Sequence, residues 1–378
     1  FGSSGISDIG PRFVEMEGVY DWFVQNVGGT RDIVNTYHLD STSGLLGYGS
    51  FGKVLKGRHK VTGSVCAVKQ IEKLLRNKIG SKPAVRTEIA IMQRLDHPHL
   101  VKLIDYFEDD NFYYLAMDLC IGGKIIDFIS RGHQYQERDA AVIMEQLFSA
   151  TDYLHERNIV HLDVKPDNML FESSDAIAQN RVKLIDFGIS CSCSNGQTLR
   201  KSAGTPEYMA PEVIDSHFGT QADLWSCGVT MFELLCGYTP FRGETEAGLF
   251  SVVRRGNFNF AEKDWGRISQ DAKDLIRALL RLNPRERVSA QDALDHMWTR
   301  LAFDVEQSAH LLSAVRHFRS RSARRKRPVQ EADALVNVRA VLGEVTQWAN
   351  AMFGQTPFDD PCIMKDRRKN HNLHLQWV

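Results

Sequence analysis

The sequence has no surplus of charge. Its 46 lysines and arginines stand against 47 aspartates and glutamates, a balance that argues against an overall attraction to nucleic acid or to a membrane surface. It has no apolar run approaching the roughly 20 residues of a membrane-spanning helix, and nothing at its start reads as a secretory leader. It is poor in cysteine. The seven present (Cys66, Cys120, Cys191, Cys193, Cys227, Cys236 and Cys362) are odd in number, scattered and mostly in apolar surroundings, which reads as reduced thiols rather than a disulfide framework. Cys191 and Cys193 form a lone C-x-C with no second pair nearby, so no zinc site is expected. Together these absences lead to the expectation of a cytoplasmic protein. The chain opens on Phe1 rather than Met, from which a fragment or a processed chain is expected.

What is present divides by pattern into three regions, with 378 residues enough for one large two-lobed domain. Residues 1–40 are mixed in character and read as an extension that packs loosely or not at all. Residues 41–300 begin with short β-branched and aromatic runs, Leu45 to Gly57, Ser64 to Ile71, Leu103 to Phe107 and Phe112 to Leu119, as an antiparallel sheet would show. One helix interrupts them: Val85, Ile89, Met92 and Leu95 recur at helical spacing over Lys82 to Leu95, and His97-Pro98 supplies the stop. From Asp139 the pattern turns helical, with candidates at Ala140 to His155, Thr220 to Cys236, Gln270 to Leu280 and Ala290 to His296. The implied class is α+β: a small β-rich lobe with one main helix over about 41–118, then a larger helical lobe over about 121–300. Residues 301–378 form a tail whose stretch 306–327 reads as a basic amphipathic helix, with Leu311, Val315 and Phe318 on one face and a cluster from Arg319 to Arg327, broken by Pro328.

The chemistry lies in an ordered series. After Leu46, the run Gly47-Tyr48-Gly49-Ser50-Phe51-Gly52-Lys53-Val54 reads G-x-G-x-x-G-x-V, with glycines where backbone amides must approach phosphate oxygens without a Cβ in the way. Alone, such a hairpin tip is commonly a plain turn. Ala67-Val68-Lys69 then puts a lysine on the next apolar strand, and the following helix offers Glu88 as its ion-pair partner. Taken singly, each is an ordinary surface charge. The second half of the series changes that reading. His161-Leu162-Asp163-Val164-Lys165-Pro166-Asp167-Asn168 is followed by Asp186-Phe187-Gly188, so two acids and an amide are available to one site. Phosphoryl transfer from ATP needs hard oxygen ligands for Mg²⁺, which Asn168 and Asp186 supply. It also needs a carboxylate beside the attacking hydroxyl, the role expected of Asp163, with Lys165 neutralising charge on the moving group.

On these residues the chain resembles the protein kinase superfamily from 41 to about 298. Gly204-Thr205-Pro206-Glu207-Tyr208-Met209-Ala210-Pro211-Glu212 resembles the end of an activation segment, and Asp223-Leu224-Trp225-Ser226-Cys227-Gly228 the helix that anchors the large lobe. The resemblance pairs Arg287 with Glu212 structurally, and Lys165 with Thr205 is similar to the serine/threonine branch. It also implies a hinge at Met117, Asp118, Leu119 and Cys120, with Met117 narrowing the pocket behind adenine. The expected cofactors are ATP and Mg²⁺. Wording such as Gly57-Arg58-His59-Lys60-Val61-Thr62-Gly63 and Leu95-Asp96-His97-Pro98-His99-Leu100-Val101 is similar to the calcium/calmodulin group, and most similar to plant and protist calcium-dependent kinases.

That resemblance implies a serine/threonine kinase with tail autoinhibition in calcium signalling, in which 306–327 blocks the active site until a calcium sensor removes it. A calmodulin-type groove accepts such a helix. The alternative is a helix packed on the large lobe with a solvated basic end. Its basic cluster would also suit nuclear import or an anionic lipid surface. A monomer acting on protein substrates is expected, with no nucleic acid partner. The competing function is a scaffolding pseudokinase that binds ATP without turnover. Three departures from the group stand out. No D-x-[DN]-x-[DN]-G loop with a closing Glu occurs, so a calcium sensor is expected to be lost, degenerate, truncated away or a separate protein. Leu162 replaces the arginine that in many kinases pairs with a phosphorylated activation loop. Lys124 stands where related kinases hold a glutamate for an upstream substrate arginine, which implies a basic preference shifted away from that place.

Overall fold

The computed structural model describes residues 32–40, 44–49, 52–73, 82–132, 134–193 and 203–300. The tail with its expected basic helix, residues 1–31, and Ser50 and Phe51 lie outside these.

The first lobe is an antiparallel sheet built from β1 (Tyr37–Leu39), β2 (Leu45–Gly49), β3 (Gly52–His59), β4 (Val65–Glu72), β5 (Leu103–Glu108) and β6 (Phe112–Met117). Its strand order is β1-β3-β4-β6-β5, with β2 pairing β3 as a hairpin. The central strand β4 reads Val-Cys-Ala-Val-Lys-Gln-Ile-Glu, and Cys66, Ala67, Val68 and Ile71 are all buried, as a strand covered on both faces requires. Helix α2 (Lys82–Met92) packs Val85, Ile89 and Met92 inward and ends three residues before the expected Leu95. There Arg94 and Leu95 donate to the carbonyls of Ile91 and Met92, tighter bonds than an α-helix makes.

The extension expected over 1–40 does not hold for its last nine residues. A single-turn helix α1 (Ile33–Thr36), capped by Asp32, leads into β1, which pairs with β3 through Tyr37↔His59 and Leu39↔Gly57. Ile33 and Tyr37 are buried beside Cys66, Val68 and Phe107, so this segment completes a second, smaller core cluster. Three residues are too few to show the alternation by which strands are recognised.

The second lobe is helical: α3 (Ile125–Ser130), α4 (Glu137–Glu156), α5 (Pro211–Ile214), α6 (Gln221–Cys236), α7 (Glu246–Arg255), α8 (Glu262–Trp265), α9 (Gln270–Leu279) and α10 (Ala290–Asp295). Helix α6 is mostly apolar and runs through the core, with every residue from Ala222 to Cys236 buried, Asp223 and Glu233 among them. It stops at Gly237, whose φ of +84° suits a residue without a Cβ. Two short antiparallel pairs complete the second lobe: β7 (Ile159–Val160) with β10 (Cys191–Ser192), and β8 (Met169–Phe171) with β9 (Val182–Leu184). Their loops carry Asp163, Asn168 and Asp186. Among the described residues no helix is long and apolar enough to cross a membrane.

Candidate active site

The β2–β3 hairpin forms the tip of the first lobe, in the register Gly47↔Val54, Tyr48↔Lys53, Gly49↔Gly52. The Gly52 position admits no side chain, because a Cβ there would lie 1.8 Å from the Gln70 carbonyl oxygen. At Gly47 a Cβ would meet nothing within 4 Å, so the fold itself does not demand glycine there. Leu46 and Tyr48 are exposed at the tip, while Lys53 and Val54 are half-buried on β3.

Ala67 and Lys69 lie two residues apart on β4 and therefore on one face. Ala67 sits opposite Met117 of β6, at the start of the expected hinge, and Lys69 opposite Val54 and Leu115. The Lys69 ammonium is buried and stands 2.8 Å from Glu88 Oε1 on α2 and 2.8 Å from Asp186 Oδ1. Burial works against this cation, and the two carboxylates overcome the penalty, so its pKa lies above the ordinary lysine value. Asp186 is its counterpart: burial pushes the carboxyl up, and Lys69 more than reverses that, holding it below the usual range. Asp186 has a φ of +66°, a left-handed conformation uncommon in a residue with a side chain.

The second group of residues is fixed by the large lobe. Asp223, fully buried in α6, accepts the backbone N–H of His161 at 2.9 Å and of Leu162 at 2.8 Å, and bonds His155 Nε2 at 3.0 Å. A buried carboxylate is tolerable only when bonded in this way, and these bonds hold the loop that presents Asp163. Leu162 is buried in the main hydrophobic core with a φ of +69°. Asp163 Oδ2 accepts from Asn168 Nδ2 at 2.6 Å. Asp163 Oδ1 accepts from Thr205 Oγ1 at 2.6 Å, and Lys165 Nζ bridges the carboxylate, 3.0 Å from Oδ1 and 2.9 Å from Oδ2. Lys165 also donates to Thr205. Asn168 closes the 3₁₀ turn Pro166–Asn168, and its carbonyl accepts from the N–H of Ile185, beside Asp186.

The structure thus brings Lys69, Glu88 and Asp186 into one cluster and Asp163, Lys165 and Asn168 into a second. Asp118 and Cys120 follow β6, but the Asp118 carboxylate is engaged by Lys183 at 3.1 Å and by the Lys102 N–H at 3.2 Å. Burial pushes the Cys120 thiol up to about 11, with Lys183 opposing the rise. Arg287 meets Glu212 through both terminal nitrogens, at 2.6 and 3.1 Å, with no exposed side-chain surface. Lys124 is exposed at the start of α3, where its N–H donates to Asp127 at 3.3 Å. Asp223 entered the sequence reading only as part of a longer match, and Thr205 as part of one and as a mark of the serine/threonine branch. Their contacts with Asp163 and its loop span 42 and about 60 positions, and no local pattern encodes them.

Comparison with known proteins agrees with this arrangement. Residues 41–299 match the family model for the protein kinase domain. The chain is 39% identical over 295 residues to calcium-dependent protein kinase 3 of Plasmodium berghei (strain Anka), covering 76% of this chain and 52% of that protein. It is 37% identical over 291 residues to calcium-dependent protein kinase 5 of Plasmodium falciparum (isolate 3D7), covering 77% and 50%. It is 36% identical over 283 residues to calcium-dependent protein kinase 4 of the same isolate, covering 73% and 53%. The chain spans about half the length of the curated relatives it matches. With its curled sheet, its helical second lobe and a family match over most of its length, the chain belongs to the protein kinase family.

Proposed function

We propose that this chain transfers the terminal phosphate of Mg-ATP to serine and threonine hydroxyls of proteins, with Asp163 receiving the hydroxyl proton. The observation that carries the reading is the double engagement of Lys69, 2.8 Å from both Glu88 and Asp186. A lysine held by one carboxylate from a helix and another from the opposite lobe is positioned to meet phosphate. Mg²⁺ is usually held through one or two carboxylates plus substrate phosphates, and the donor set fits that habit. Asp186 offers a carboxylate. Asn168 commits its amide N–H to Asp163, leaving its carbonyl oxygen to offer to a cation. Bound there, the metal would neutralise phosphate charge and orient the terminal group.

The remaining work falls to side chains of this protein. Asp163 is gripped on both oxygens, which fixes the direction from which it can accept a proton. Lys165, bonded to Asp163 and Thr205, places a cation beside the transferred group. The Lys165–Thr205 contact supports a serine/threonine acceptor.

For regulation, the reading is tail autoinhibition relieved by a calcium sensor, supported by the basic amphipathic pattern of 306–327 and by the relatives' names. One assay tests activity and regulation together: transfer of labelled phosphate to a serine/threonine protein by the full chain and by residues 1–300, each with and without calcium and calmodulin. Transfer by the full chain that rises on calcium–calmodulin addition, and a 1–300 chain that is active without either, is the expected pattern. No transfer from any sample points to the scaffolding alternative.

Leu162 yields a further expectation. A phosphate on the activation segment gains little unless a cation receives it, and position 162 offers a buried alkyl group. Turnover is expected to be the same before and after phosphatase treatment. A collapse of activity after dephosphorylation would contradict this.

A further inference from the structure

Lys183 is buried on β9, three positions before Asp186, and takes no part in the chemistry above. Its aliphatic stem lies in the interior, and its ammonium comes out beneath the hinge. There it donates to Asp118 Oδ2 at 3.1 Å and to the Leu100 carbonyl at 3.4 Å, and it lies 3.8 Å from Glu172 Oε1. One cation therefore joins three segments: the end of β6, the loop before β5, and the end of β8.

The surrounding backbone shows what this joint adds. The second-lobe half of the hinge is held by main-chain bonds, from Ile121 N–H to Glu172 and from Gly122 N–H to Phe171. The first-lobe half is tied to the neighbouring loop, through Asp118 N–H to Lys102, and that loop docks on β9 through Val101 N–H to Leu184 and Leu184 N–H to His99. Among the described residues, the Lys183 side chain bonds the second lobe to the hinge at Asp118. A partly buried ion pair of this kind is weak evidence for stability, because desolvation offsets much of the attraction. Geometry is what it can supply: β9 leads within two residues to Asp186, so one short stretch of chain is bonded to the hinge through Lys183 and to Lys69 through Asp186.

We propose that Lys183 is a positioning residue for the nucleotide, fixing the Met117–Cys120 segment against the stretch of chain that carries Asp186 and thereby setting where adenine sits relative to the phosphate-binding groups. This inference rests on the kinase reading of the cleft.

The test is calorimetric titration of the purified full chain with Mg-ATP and, separately, with adenosine, alongside a thermal melt. Lys183→Met is expected to weaken both ligands by about tenfold and by the same factor, since the displaced element would be the adenine side of the site. Lys183→Arg keeps a cation in reach of Asp118 and is expected to restore most of the affinity. Lys102→Met removes an exposed cation paired with Asp96 in the same region and is expected to change neither ligand. If Lys183→Met does not fold, Asp118→Asn, which keeps the shape and removes the ion pair, carries the test with the same expected weakening. A wild-type chain that binds both ligands, with variants that bind them equally well or lose only melting temperature, overturns the positioning role. A wild-type chain that binds neither ligand overturns the reading of the cleft, and this inference with it.

Discussion

Replacing Asp163 by asparagine is expected to lower turnover by roughly 10²- to 10⁴-fold, the usual worth of a positioned general base, with nucleotide affinity close to that of the unaltered chain. The substitution removes the carboxylate and also disturbs its surroundings. In the intact site Oδ2 of Asp163 accepts from Asn168 and Oδ1 from Thr205, while the Lys165 ammonium contacts both oxygens. An asparagine can turn its carbonyl oxygen toward only one of these sides. Facing Thr205, its NH₂ opposes the NH₂ of Asn168; facing Asn168, its NH₂ lies against Thr205, and in either pose the NH₂ meets the Lys165 ammonium. Either way two donors meet, and no group remains that can take a proton from a hydroxyl. Adenine and most of the triphosphate would lie away from this residue, so the loss belongs in kcat rather than in nucleotide binding. Single-turnover transfer of labelled phosphate, with nucleotide affinity measured on the same preparation, checks both halves. Undiminished transfer by the variant would remove Asp163 from the chemistry.

Lys69→Met is expected to damage both stability and activity, and a second substitution separates the two effects. The lysine compensates a carboxylate on Glu88 with about 1% side-chain exposure and another on Asp186. Removing one partner of a buried pair leaves an uncompensated charge and typically costs about 3–5 kcal/mol. Turnover is expected to fall by roughly 10²- to 10³-fold as well, the cost of losing one preorganised donor at a site of developing charge. Adding Glu88→Gln to Lys69→Met neutralises the more deeply buried of the two carboxylates that Lys69 meets, so most of the lost stability should return. Activity should not, because the cation is still missing. Denaturant unfolding and phosphate transfer on the single and double variants read this directly. A double variant as unstable as the single would mean that the ion pair is not what the lysine contributes.

The legible part of this site was the part written in short stretches. Gly47 to Val54, Lys69, His161 to Asn168 and Asp186 to Gly188 each occupy a few consecutive positions, and their order along the chain limits how they can be assembled. Helices long enough for a 3.6-residue period to repeat, such as Glu137–Glu156 and Gln221–Cys236, were placed to within a few residues. Contacts made by single residues across long separations were not legible. Lys183 meets Asp118 across 65 positions, and a lysine in a short strand carries no local mark of its burial. The hold of Asp223 on the Asp163 loop and the bond from Thr205 to Asp163 span 62 and 42 positions. The short strand Tyr37–Leu39 escaped for another reason: its stability comes from pairing with β3 and from burying Tyr37, neither visible in three residues.

The central claim is that Lys69, Asp163, Asn168 and Asp186 surround one triphosphate. A crystal structure of the chain with Mg²⁺ and an ATP analogue that resists hydrolysis tests it most directly. The account predicts a cation between the Asn168 carbonyl oxygen and the Asp186 carboxylate, the Lys69 ammonium on the phosphates, and the terminal phosphate facing Asp163. A nucleotide seated elsewhere, or a cation that touches neither Asn168 nor Asp186, would contradict it.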